Sequence, residues 1–160
     1  MSKIVPCLWF ASKAEEAAKF YVSLLPDSRI DAVQRNVVET PAGPEGSVLL
    51  VEFTLAGQRY LALNGGAPMD FTPAVSFMIN CVDQDEVDRL WDALIDGGAP
   101  MQCGWLRDRY GLAWQIVPSI LPKLFSGPDR AGAQRAMKAM MEMVKLDGDA
   151  LQRAYDGASV

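Results

Sequence analysis

The feature that most constrains the fold is a pattern that occurs twice. Residues 4–10 (Ile-Val-Pro-Cys-Leu-Trp-Phe) are an apolar run of strand length, and Ser12 with Glu15 has the spacing of a capping box. Ala14, Ala17, Ala18, Phe20, Tyr21, Leu24 and Leu25 then share one helical stripe that stops at Pro26. Strands follow at 29–38, 47–55 and 58–64, with a Pro/Gly-rich loop at 41–46, a tight Ala56-Gly57 turn and a Gly65-Gly66 end. Beyond a linker around Pro68 to Pro73 the order returns: a strand at 74–81, then Asp83 with Glu86 as a second capping pair. Val87, Leu90, Trp91, Leu94 and Ile95 fall at i, i+3, i+4, i+7 and i+8 of a helix closed by Gly97-Gly98. Strands at about 101–107 and 112–117 follow, joined by Asp108-Arg109-Tyr110-Gly111, whose Asp at the first and Gly at the fourth place suit a type I turn. Sliding the first half by 70 residues lays Pro6 on Ser76, Glu16 on Glu86 and Leu24-Leu25 on Leu94-Ile95. The chain reads as two copies of a strand-helix-strands unit in the α+β class.

The tail, 119–160, belongs to neither copy. Asp129 is placed to cap a helix carrying Ala133, Met137, Met140, Met141 and Val144 on one stripe, and Asp147 a shorter one with Leu151, Ala154 and Tyr155. Methionine is an adaptable packing residue, so this stripe is expected to cover the chain's own sheet or a second subunit; a peptide-binding groove is the other reading.

The 160 residues contain no histidine. That excludes a Ser-His-Asp triad, a Cys-His pair, an H-E-x-x-H zinc site and a two-His facial triad. None of the thirteen glycines forms a G-x-G pair, and no G-K-[ST] occurs, so the Rossmann and Walker phosphate loops and the usual adenosylmethionine loop are absent. A net charge of -5 offers no footprint for a phosphate backbone, and no nucleic-acid partner is expected. Cys7, Cys81 and Cys103 are odd in number and lack C-x-x-C spacing, which argues for reduced thiols. No apolar run approaches the roughly 20 residues that cross a bilayer and the first residues lack a signal-peptide core, so no membrane partner and a cytoplasmic location are expected.

The two modules, with Pro6-Cys7-Leu8-Trp9-Phe10, Ala17-Ala18-Lys19-Phe20-Tyr21, Leu61-Ala62-Leu63-Asn64-Gly65-Gly66 and Asp108-Arg109-Tyr110-Gly111-Leu112-Ala113-Trp114-Gln115, resemble one family closely. It is the PhnB-like branch of the vicinal oxygen chelate superfamily, the glyoxalase and bleomycin-resistance fold, a branch often labelled a 3-demethylubiquinone-9 3-methyltransferase domain. The resemblance covers about residues 3–118, and the helical tail is also similar to that of the branch. It implies a single domain of two tandem β-α-β-β-β modules (about 3–66 and 73–118) whose mixed sheet curls around a cleft, a C-terminal helical tail (about 119–158), and a homodimer. In metal-dependent members four ligands come from the first and fourth strands of each module, and the resemblance lays those positions on Pro6, Ala62, Ser76 and Gln115. Proline and alanine offer no side-chain donor, and a neutral hydroxyl and amide are weak ligands, so neither a metal nor another cofactor is expected. Glyoxalase isomerisation, extradiol cleavage and fosfomycin opening therefore find no support.

If Ala56-Gly57 is a two-residue hairpin loop, residues whose numbers sum to 113 face one another, Phe53 with Tyr60 and Val51 with Ala62. Tyr60, Ala62 and Asn64 then share the cleft face with Leu8, while Ala113, Gln115, Val117 and Met78 line it from the second module. That lining suits a neutral or aromatic small molecule. Asn64, Ser76, Gln115, Tyr60 and Trp105 are the candidate ligand-binding residues, with the amides Gln115 and Asn64 either orienting a ligand or satisfying nearby backbone. No catalytic residue stands out. Glu52 is a candidate general base that the hairpin register puts opposite Ala62's face. Cys103, near Trp105 and Arg107, is either a candidate nucleophile or an inert core cysteine. Asp108 is explained by its turn, and Arg107 and Arg109 either hold a ligand carboxylate or are solvated. The expected function is metal-free binding of a small apolar or aromatic molecule. The alternatives are an enzyme of unidentified reaction, including the labelled methyltransferase, and a ligand-free dimeric scaffold.

Overall fold

The computed structural model describes residues 2–158, and the chain divides between Asp70 and Phe71 into two compact units. Unit one runs β1 (Cys7–Phe10), α1 (Ala14–Val22), β2 (Arg29–Arg35), β3 (Val48–Leu55) and β4 (Gln58–Asn64), with sheet order β1-β4-β3-β2. Unit two repeats it with β5 (Ser76–Cys81), α2 (Gln84–Ile95), β6 (Ala99–Pro100), β7 (Trp105–Arg107) and β8 (Ala113–Pro118), ordered β5-β8-β7-β6. In each sheet the first and last strands of the module run parallel and the other pairings are antiparallel. Three helices follow: α3 (Ile120–Phe125), α4 (Arg130–Met141) and α5 (Gly148–Asp156). The α+β class, the tandem modules and the helical tail are all present, with the strands in two four-stranded mixed sheets. No helix of the described residues is long and apolar enough to cross a membrane.

Local chemistry fixes much of this. Ala56 (φ 48°) and Gly57 (φ 80°) both take the left-handed conformation a two-residue hairpin requires, and the register pairs Val51 with Ala62 and Phe53 with Tyr60 as the loop length predicts. Asp83 accepts a hydrogen bond from the Glu86 backbone N–H (2.9 Å), and the Glu86 carboxylate reaches back to the Val82 N–H (2.7 Å). Val87, Leu90, Trp91 and Leu94 are all buried, so the predicted stripe is the face that α2 buries. Asp147 caps α5 through the Ala150 N–H (2.9 Å).

Two expectations are corrected and a third is narrowed. Ser12 does not cap α1: the helix begins at Ala14, whose N–H donates to the Asn64 side-chain oxygen (2.9 Å), a partner fifty positions away on β4. The strand expected at about 101–107 forms only as β7 (Trp105–Arg107), and its short partner β6 (Ala99–Pro100) lies before that range. Between them Cys103 (φ 60°) and Gly104 (φ 82°) form a left-handed turn whose N–H groups donate to the Met143 and Val144 carbonyls (2.8 and 2.7 Å). Finally, of the methionines on its stripe α4 packs only Met140 against the chain's own core. It packs through Gly132 and Ala136, because a side chain at 132 would meet the Tyr155 backbone oxygen of α5 at 2.8 Å, and Met137, Met141 and Val144 stay exposed.

Candidate functional site

Each sheet has one face under its helix and one face free of it. In unit two α2 covers the face carrying Ile79, Cys81, Leu106, Trp114 and Ile116, all buried. Side chains alternate along strands, so Met78, Asn80, Trp105, Gln115 and Val117 stand on the other face, where β8 pairs Gln115 with Met78 on one side and Trp105 on the other. Over that face lie Leu121, Pro122 and Phe125 of α3 and Met140 of α4, and the two layers flank an open cavity of about 360 Å³ that Cys103 also lines. This volume lies at the small end of the roughly 300–1,000 Å³ typical of ligand sites. Four of the sequence candidates therefore meet in one place: Gln115, Trp105 and Cys103 in the cavity wall, and Ser76, whose hydroxyl accepts a hydrogen bond from the Gln115 amide nitrogen (2.9 Å). The amide oxygen of Gln115 has no protein partner among the described residues and is available to a ligand donor.

Unit one reads differently. The face expected to line a cleft is the one that α1 covers: Leu8, Val51, Phe53, Ala62 and Asn64 are buried there. Tyr60 stacks on Phe53 with ring centres 5.5 Å apart, and Phe53 meets Tyr21 of α1. Both polar atoms of the Asn64 side chain are engaged by the backbone, Oδ1 by Ala14 N–H and Nδ2 by the Val48 carbonyl (3.0 Å). Period two left the choice of face open, and the side on which α1 docks decides it. Glu52 stands opposite Ala62's face, as the register predicts. Gln34 and Arg59 donate to its two carboxylate oxygens (3.0 and 2.9 Å).

Other candidates are structural. The buried Asp108 accepts hydrogen bonds from the Tyr110 N–H (2.8 Å), the Leu112 N–H (3.0 Å) and the Trp114 indole N–H (2.9 Å), which closes its turn and ties it to β8. Arg109 pairs with Asp96 (3.1 Å) and Arg107 is exposed. Burial, followed by the Glu86 charge, pushes the Cys81 thiol up to about 12, so it is unreactive at neutral pH. Desolvation also raises the Cys7 and Tyr60 pKa values.

The 3-demethylubiquinone-9 3-methyltransferase family matches residues 2–117. The chain belongs to this family. Among solved structures, the PhnB protein of Bacillus cereus is 35% identical with a TM-score of 0.67, aligned over 73% of this chain and 99% of its own, which places the chain in the PhnB-like branch. A protein of Staphylococcus aureus is 28% identical over 74% of this chain and 97% of its own, with a TM-score of 0.34. PA1353 of Pseudomonas aeruginosa, 21% identical over 74% and 98% with a TM-score of 0.54, shares the fold. No curated protein matches the chain.

For this family member the strand registers shift the equivalence of the modules by one residue. Ser76 pairs with Ala113 as Cys7 pairs with Leu61, and Met78 pairs with Gln115 as Trp9 pairs with Leu63. The counterparts of Ser76 and Gln115 are therefore Cys7 and Leu63, in place of Pro6 and Ala62. Pro6 precedes β1, and Ala62 faces α1. Leucine donates nothing to a metal, and partial desolvation raises the pKa of the exposed Cys7 thiol, which disfavours the thiolate a metal would need. Among the described residues no three His, Cys, Asp or Glu side chains cluster as a metal site. The sequence missed the helical wall of the cavity, because nothing local links residues 121–140 to β5 and β8.

Proposed function

We propose that the protein binds a small neutral molecule, apolar or aromatic, in the unit-two cavity. The supporting observation is the lining: a largely apolar open pocket of about 360 Å³ in which the polar groups are the amides of Gln115, fixed by Ser76, and Asn80, with no carboxylate or cationic side chain in the wall. A charged ligand would lose its hydration there without a counter-charge, whereas a ring compound with one hydroxyl or N–H gains burial and one hydrogen bond. The test is a fluorescence titration with phenylnaphthylamine, a neutral aromatic probe. Wild-type protein saturates at one probe per chain; Met78→Trp, which fills the cavity from its rim, and Gln115→Leu, which alters its polar group, both weaken binding. Equal affinity in all three proteins refutes the reading.

The family's description favours methyl transfer as a second reading. It requires adenosylmethionine to bind, and calorimetry at several temperatures decides it: saturable heat supports transfer, and no heat at any temperature removes it.

A further inference from the structure

The family match ends at residue 117, and 73% of this chain accounts for 99% of the Bacillus cereus protein. The second wall of the cavity starts at Leu121. The part of the site that faces Gln115 is thus built by a segment outside the matched region.

That segment is held firmly. The Cys103-Gly104 turn, left-handed at both residues, turns its N–H groups to the Met143 and Val144 carbonyls, and a non-glycine residue keeps that conformation only where its surroundings enforce it. Gly104 leaves the space that buried Leu146 fills: a Cβ there would lie 2.8 Å from the leucine side chain. Gln84 of α2 binds the next stretch at both ends of its amide, donating to the Leu146 carbonyl (3.0 Å) and accepting from the Gly148 N–H (2.9 Å), and Lys145 pairs with Asp88 (2.8 Å). Leu121, Leu124, Ala136, Leu146 and Leu151 form a core continuous with Val117 of β8, and Phe125 and Met140 lie half-buried at its edge. A wall pinned in this way is preorganised, so its shape rather than its motion selects what enters.

We propose that the tail is the specificity-determining part of the ligand site, with Phe125 and Met140 setting the size of the ring compound whose polar group meets Gln115. The inference rests on the small-molecule reading above. Phe125 supplies a flat aromatic surface and Met140 an adaptable one, and both lie at the edge of the tail core, where shortening leaves its buried residues in place.

The experiment compares two neutral probes, indole and the larger phenylnaphthylamine, on full-length variants. Phe125→Ala and Met140→Ala shift the ratio of the two affinities toward the larger probe on the order of tenfold, the scale on which hydrophobic pockets discriminate size. Met137→Ala, on the exposed side of the same helix, leaves the ratio unchanged. Phe125→Leu, which keeps most of the apolar volume, serves if the alanine variant does not fold and shifts the ratio in the same direction by less. Wild-type binding that depends on Gln115, together with ratios that Phe125 and Met140 substitutions leave within about twofold, overturns this inference alone. Failure of wild-type protein to bind either probe overturns the small-molecule reading and this inference together.

Discussion

Replacing Asp108 with alanine tests whether the Asp-Arg-Tyr-Gly stretch is an organiser of unit two. The carboxylate is 3% exposed and accepts from two backbone N–H groups and the Trp114 indole. Trp114 and Leu112 are themselves buried, so water does not replace the lost acceptor at those two donors, whereas the half-buried Tyr110 regains a water. At about 1–3 kcal/mol for each stranded buried donor, Asp108→Ala costs about 4 kcal/mol. Asp108→Asn keeps one acceptor oxygen and costs about 2 kcal/mol, because its NH₂ group then faces a donor. Urea unfolding followed by tryptophan fluorescence and near-UV circular dichroism measures both, and a cycle with Trp114→Phe isolates the indole contact, with an expected coupling of about 1 kcal/mol. An Asp108→Ala midpoint within about 1 kcal/mol of wild type would refute the reasoning, as would a coupling near zero.

Asn64→Ala removes the tertiary cap of α1 and strands the Val48 carbonyl, for an expected loss of about 2–3 kcal/mol by the same assay; Ser12→Ala, at the sequence-predicted cap, changes stability by under about 0.5 kcal/mol. Native protein treated with iodoacetamide at neutral pH is modified at Cys7 and Cys103 while Cys81 reacts only after unfolding, as mass spectrometry of the digested protein will show. Because the folded-state pKa of Cys81 is raised, its neutral form favours folding below the ordinary thiol value of 9.0, and that contribution is lost as pH rises toward about 12. Cys81→Ala therefore shows a shallower alkaline loss of stability than wild type. Met137, Met141 and Val144 leave an exposed apolar strip on the tail, and we expect a homodimer in sedimentation that Met141→Glu weakens; a single-chain mass for wild type at micromolar concentration contradicts this.

What the sequence disclosed was local or repeated. The hairpin register follows from a two-residue loop, the Asp83 and Asp147 caps lie within three residues of the N–H groups they accept from, and the Asp108 turn spans four positions. What it hid depends on distant partners. Alternation in β4 separates Ala62 from Leu61 and Leu63, but both faces are apolar, and only the docking of α1 through Asn64 shows which one is covered. The stretch 101–107 has the composition of a strand, yet the carbonyls of Met143 and Val144 capture the N–H groups of 103 and 104. In α4 the hydrophobic signal of methionine outweighs that of glycine and alanine, although close helix contact selects the small residues Gly132 and Ala136. The candidate site was half legible for the same reason. Gln115, Ser76 and Trp105 follow from strand period, whereas the wall opposite them is a tertiary fact.

Native mass spectrometry of gently purified protein, followed by denaturing analysis of what is released, tests small-molecule binding most directly. The account predicts one neutral organic adduct per chain, lost on denaturation and absent from Met78→Trp. An adduct carried equally by Met78→Trp, or a stoichiometric divalent metal in place of an organic molecule, would contradict it.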